Sequence, residues 1–141
     1  MPSKKIRAYV SVSYSERNSL KRELEAITET LAEFNVEAFI FVDHYSFDRD
    51  QEHEMMQQAM RDIEACDFLI AEVTHKAIGI GVEVGYGKAK SKPIVYLRKK
   101  EAEHSTTVSG ISDFQIIYQD IFELQLHLSI AVNKILIGLS R

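Results

Sequence analysis

The sequence is short of cysteine and proline, with one of the first and two of the second in 141 residues. Cys66 therefore has no partner for an internal disulfide and no companion thiolate for a zinc site. The five histidines, at 44, 53, 75, 104 and 127, show no metal-ligand spacing such as HExxH, so no metal is expected. A long apolar run after the basic start "MPSKKIRAYVSVSYS" is also missing, which predicts neither a signal peptide nor a membrane span and leaves the cytoplasm as the expected compartment. Excess positive charge is lacking too. The net charge is -4, which argues against nucleic acid as the main partner, because phosphate backbones are held by basic faces. The one basic cluster, Arg98-Lys99-Lys100, reads as a solvated strand end. There is no internal repeat, low-complexity tract or linker, and Pro93 sits at a strand entry, where a missing N–H is tolerated.

What is present is a 45% hydrophobic chain with ordinary charge content, read as one domain over residues 1–141. "IRAYVSVS" (6–13) reads as a first strand. Leu20, Leu24, Ile27, Leu31 and Phe34 recur at helical spacing and predict a helix over 16–34. "VEAFIFV" (36–42) predicts a second strand and "DHYSFDRD" a polar loop. A second helix over 50–65 has Met56, Ala59, Met60 and Ile63 on its apolar face. "DFLIAEV" (67–73) predicts strand three, and a loop with Gly79 and Gly81 leads into a helix over about 82–91. "KPIVYLR" (92–98) and "FQIIYQ" (114–119) predict strands four and five. The last helix, 120–138, is read as closed by Gly138. Its nearly continuous apolar surface belongs in a core or a subunit interface. Alternating strands and helices predict a doubly wound α/β fold, a five-stranded parallel sheet in the order 2-1-3-4-5 with helices on both faces. The ligand crevice of such a sheet lies at the C-terminal ends of strands one and three.

One stretch, "AEVTHKAIGIGVEVGYGKAKSKPIVYL" (71–97), stands at that crevice. It places a lone carboxylate, Glu83, between valines, and a buried carboxylate is costly unless paired or used. Gly79 and Gly81 are expected to let a loop hug a ligand. A carboxylate in the first turn of the following helix would stay ionised, as a nucleophile must. The dinucleotide fingerprint GxGxxG is not met, because the third glycine of "GIGVEVG" comes one place late. The bland alternatives are plain. Glu83 can serve only the helix dipole, Tyr9 only the core, Ser13 as a helix N-cap, Ser105 in a solvated loop. Tyr86 reads as packing, Glu72 as a structural carboxylate paired with a nearby Lys or Arg, and His75 as a loop residue with a claim as proton donor.

"DFLIAEVT", "GIGVEVGYGKA" and "KPI" resemble the nucleoside 2-deoxyribosyltransferase family, and within it the 2′-deoxynucleoside 5′-phosphate N-hydrolase branch. "STTVSGISD" (105–113) is similar to the family's segment after strand four. The resemblance implies cleavage of, or base exchange at, the N-glycosidic bond of a nucleoside or its 5′-monophosphate, without metal or organic cofactor. It implies Glu83 as nucleophile and Tyr9 in the sugar site. Ser13 and Ser105 would hold a 5′-phosphate, with Ser11, Gly79 and Gly81 lining the pocket. It also implies a homodimer or larger assembly in which Ser105 reaches a neighbour's site. Departures are visible. The family's acid on the helix before strand three falls on Ala59, and a second acid of the transferase branch falls within His75-Lys76-Ala77. A phosphate-contacting serine falls on Ala77 and an arginine on Ser15. Asp62 and Glu54 are the nearby acids. Two alternatives follow: a nucleotide binder that has lost catalysis, and a Toll/interleukin-receptor-like domain acting on NAD, which "YVSVSYSERNSLKRELEAITETLAEFNVEAF" is similar to at its start.

Overall fold

The computed structural model describes residues 5–140; the basic opening through Lys4 lies outside them. Strands β1 (Ile6–Val12), β2 (Val36–Ile40), β3 (Phe68–Glu72), β4 (Ile94–Lys99) and β5 (Phe114–Tyr118) form one parallel sheet in the order β2-β1-β3-β4-β5. The expected topology is therefore the observed one. Along β1 the even positions Ala8, Val10 and Val12 face helices α1 (Lys21–Glu33) and α6 (Ile121–Leu139), in a core that also holds Leu24, Ile27, Leu31, Leu124 and Leu128. The odd positions face the other side, where α3 (Glu52–Ala65) and α4 (Ile78–Ala89) cover Tyr9, Leu69, Ala71 and Tyr96. The period-two alternation of a strand thus divides the molecule into two cores.

Five boundaries differ most from the sequence-based expectation. Helix one, expected from residue 16, begins at Lys21 after two 3-10 turns, Tyr14–Glu16 and Asn18–Leu20. Strand two stops at Ile40, and Phe41–His44 form a short helix, α2. An apolar run of this length does not by itself distinguish strand from helix. Helix α4 begins at Ile78, so Gly79 and Gly81 lie inside its first turns and not in a loop, and neither has positive φ. Its N-cap, Ala77, makes no side-chain cap, so the usual Ser/Thr/Asp/Asn start signal is missing. Residues Thr106–Gly110, expected as loop, form helix α5 with Ser105 at its N-cap. Gly138 lies within α6, which ends at Leu139 and is capped by Ser140 in the right-handed region. α6 is long and apolar enough to span a membrane by composition. Its Leu124, Leu128, Val132 and Ile135 nevertheless face the α1 core.

Candidate active site

A strand covered on both faces is normally apolar throughout. β1 departs from that on its α3/α4 side, where Tyr9 and Ser11 alternate and Ser13 follows, all buried. The carboxylate that meets them is Glu83, in the second turn of α4. Tyr9 Oη donates to Glu83 Oε2, and Ser11 Oγ donates to Oε1 at 2.7 Å. A carboxylate oxygen can accept at two lone pairs, so both remain able to meet a ligand. Burial pushes the Glu83 pKa above the usual carboxylate range, and the Tyr9 and Ser11 hydrogen bonds only partly oppose it. The first-turn dipole argument does not apply, because five residues of helix, from Ile78 to Val82, precede Glu83. Two hydroxyl donors, not a helix terminus, favour the ionised form. The Tyr9 phenol is pushed up strongly by burial and by the Glu83 charge, so it stays protonated and remains a donor.

Glu83 forms part of the surface of a cavity of about 310 Å³ at the C-terminal end of β1. Val12 and Tyr14 border it on the β1 side, and Ala77, Gly79 and Ile80 on the α4 side. A helical side chain leans toward the turn before it, and here Gly79 stands four residues before Glu83. Gly79 borders the cavity without a side chain, and a Cβ there would meet nothing within 4 Å. The remaining wall comes from the α2–α3 segment: Phe41, Val42, Tyr45, Ser46, Phe47, Met55, Met56 and Ala59. These aromatic and thioether side chains were not foreseen as site residues. Their signal was aromatic density in "FIFVDHYSF", which is unusual for a polar loop.

Not every expected residue converges on this cavity. Tyr9 is fully buried behind the cavity wall, where it donates to Glu83 and its ring centroid lies 6.2 Å from that of Phe41. Ser11 likewise serves the carboxylate. Ser13 Oγ lies 3.3 Å from Ser15 Oγ and caps no helix with its side chain. Ser105 and Gly81 border a second cavity, of about 380 Å³, together with Lys76, Thr106 and Thr107. The two cavities share Ala77 and Ile80, so they are neighbours across the start of α4. Ser105 Oγ accepts from Val108 N at 3.4 Å, and its N–H donates to Tyr96 Oη at 3.0 Å. Glu54 is exposed. Asp62 lies outside the cavity lining, with Oδ1 accepting from Gln58 Nε2 at 3.0 Å and Oδ2 buried without a hydrogen-bond partner.

Three further residues find their places elsewhere. Glu72 points to the α1/α6 side of the sheet, where it accepts from Thr74 N at 2.6 Å and from Tyr118 Oη. Its expected pairing with Lys or Arg is replaced by these two donors. Tyr86 Oη reaches outward to Glu64 at 2.5 Å, and His75 Nε2 lies 3.8 Å from Glu16. Burial pushes the Cys66 thiol up to about 12, which makes it unreactive. Among the described residues no cluster of His, Cys, Asp or Glu could hold a metal ion.

Comparisons with known proteins agree with this architecture. Residues 9–129 match the family profile described as Nucleoside 2-deoxyribosyltransferase. A Thermofilum pendens protein, provisionally named 2′-deoxynucleoside 5′-phosphate N-hydrolase 1, is 31% identical over 75 residues, which are 50% of this chain. The match spans about half, 52%, of that curated relative's length. The solved structure of a Clostridium botulinum CMP N-glycosidase is similar with TM-score 0.63 and 22% identity, covering 88% of this chain and 98% of that one. A 2-deoxyribosyltransferase of Bacillus psychrosaccharolyticus is similar with TM-score 0.64 and 12% identity, covering 84% and 90%. These two likenesses concern the fold. With the profile matched from β1 into α6, the chain belongs to the nucleoside 2-deoxyribosyltransferase family.

Proposed function

We propose that the protein cleaves the N-glycosidic bond of a nucleoside or nucleoside 5′-monophosphate, with Glu83 as nucleophile. The observation that carries this reading is a carboxylate facing a cavity while two buried hydroxyls hold both its oxygens. Glycosidic cleavage passes through an oxocarbenium-like state that a carboxylate can stabilise or capture. A Glu83 oxygen bonds to C1′ as the C1′–N bond breaks, and the bonding pair leaves with the base. Water, or a second base, then attacks C1′ and releases the carboxylate. Tyr9 and Ser11 act as positioning residues: they fix the carboxylate's direction and limit how far burial raises its pKa. Ser13 and Ser105 are the proposed 5′-phosphate contacts, with Ser105 reaching the site through the neighbouring cavity or from a second subunit. A screen of nucleosides and 5′-monophosphates, read by chromatography of the released base, tests the reading. Base release from at least one of them supports it, and tight binding without turnover would favour a non-catalytic nucleotide binder instead.

The same reading includes a homodimer. Ile78 is 90% exposed and Val82 50% exposed, one turn apart on α4 and beside the cavity of Ser105 and Thr107. A second copy covering this face would bring residues 105–110 near its partner's site. The single buried thiol suits a reducing, cytoplasmic setting.

A further inference from the structure

The wall that the α2–α3 segment adds to the Glu83 cavity is mainly aromatic and thioether, with the neutral hydroxyl of Ser46 and the Tyr45 phenol as its polar groups. The Phe41 and Phe47 rings lie 13° from parallel with centroids 6.2 Å apart, and the Tyr45 ring stands 5.0 Å from Phe41 and 5.7 Å from Phe47. Met55, Met56 and the 2% exposed Ala59 continue this surface. Among the described residues lining the cavity, Glu83 is the one carboxylate, and no histidine or lysine joins it. The two phenols are weak acids. Tyr14 is mostly exposed, and the Tyr45 phenol is pushed up by burial first and the Asp62 carboxyl second.

A base leaving through this side finds no group suited to protonate it. A neutral base that leaves without a proton departs as an anion, and a surface of π faces and thioethers gives an anion no compensation. A base joined to C1′ through a positively charged ring nitrogen behaves in the opposite way. Its cationic ring is attracted to aromatic faces before cleavage. It departs as a neutral aromatic molecule, which this wall accommodates.

We propose that the site acts on nucleosides or nucleotides whose base is cationic at the ring, of the pyridinium or N7-alkylated purine class. This rests on the N-glycoside-cleaving reading and names its substrate class. A Glu83 oxygen bonds to C1′ while the C1′–N bond breaks, and that electron pair neutralises the ring nitrogen. Water then gives its hydroxyl to C1′, the glutamyl ester returns to carboxylate, and one proton passes to solvent. Charge and atoms balance, and no general acid is consumed.

The test compares nicotinamide mononucleotide and 7-methylguanosine 5′-monophosphate with CMP, GMP and their deoxy forms. Each rate is divided by the rate without enzyme, which removes intrinsic lability. The expected result is an enhancement at least 100-fold greater for the cationic pair. Supplying the missing acid, Ala59→Asp should raise the neutral substrates by about 10²- to 10⁴-fold. It should not speed the cationic pair, whose positive ground state the new carboxylate would hold. A second variant, Phe47→Leu, should weaken cationic substrates at least fivefold more than neutral ones. Equal or greater enhancement on neutral substrates would overturn the substrate assignment and leave the cleavage reading standing. No release from any of them, by wild type or Ala59→Asp, would overturn both.

Discussion

Glu83 is partly buried against two hydroxyls, and that burial sets the direction of its response to pH. Its folded pKa stands above the unfolded value. The stability associated with the protonated form is therefore complete below the unfolded carboxylate range and is lost as pH rises through the folded value. Glu83→Gln, which never ionises, should melt at higher temperature than wild type at neutral pH. The gap should shrink on acidification and close below the ordinary carboxylate range, as calorimetry across pH would record. With Glu83 as the proposed nucleophile, activity runs the other way, because a nucleophilic carboxylate must be ionised, and turnover should rise with pH along a limb displaced above the usual carboxylate range. Tyr9→Phe removes the larger of the two hydrogen bonds that lower this pKa. The limb should then move further alkaline, and turnover at neutral pH should fall tenfold or more, since hydrogen bonds to charged groups contribute about 1.5–3 kcal/mol. A role for Tyr9 in packing alone would leave the limb in place. Glu83 stood out in the sequence as a lone carboxylate between valines, and Ser11 by its place at the end of strand one, whereas Tyr9 looks like a core aromatic and was singled out only by the family resemblance. The aromatic wall was not, because Phe41 and Phe47 look like core residues until the turn at Ile40 carries them over the strand ends.

At the scale of elements, α4 separates helix propensity from space. Gly87 rests on β3, and a Cβ there would lie 2.7 Å from Leu69 Cδ1 and 2.9 Å from Cδ2, against a fully buried side chain. Gly87→Ala gains about 1 kcal/mol in helix propensity but overpacks by about 1–3 kcal/mol. Net destabilisation of up to about 2 kcal/mol is expected in chemical denaturation. Gly79 has open space instead. Gly79→Ala should stabilise by up to about 1 kcal/mol and still impair substrate binding, because Gly79 borders the cavity and a methyl there takes up part of its volume. Stability and KM rising together would mark Gly79 as a clearance position; a stabilised variant with unchanged KM would refute that. The strand order was readable because five apolar runs alternate with helical spacing, which leaves few right-handed parallel topologies. The start of α4 was not, since two glycines and no capping side chain imitate a loop. The helix forms there because Ile80, Val84 and Gly87 share the face that packs on the sheet.

The whole molecule leaves the outer face of α4 apolar next to the cavity of Ser105, and α6 adds Phe122, Leu126 and Ile130 on its own exposed side. If the α4 face is the subunit contact, Val82→Glu should convert a dimer to a monomer in sedimentation at micromolar concentration. A wild type that already sediments as a monomer would contradict the assembly and leave the cavity chemistry untouched. The chemistry proposed there rests on Glu83. It is tested most directly by single-turnover base release from the best substrate, with nucleotide binding measured beside it, for wild type and Glu83→Ala. Loss of a partner for the developing cation removes several kcal/mol of transition-state stabilisation, and about 1.4 kcal/mol is tenfold in rate. The account predicts a fall in release of about 10³-fold or more with binding changed far less. Base release that survives Glu83→Ala at a comparable rate would contradict it.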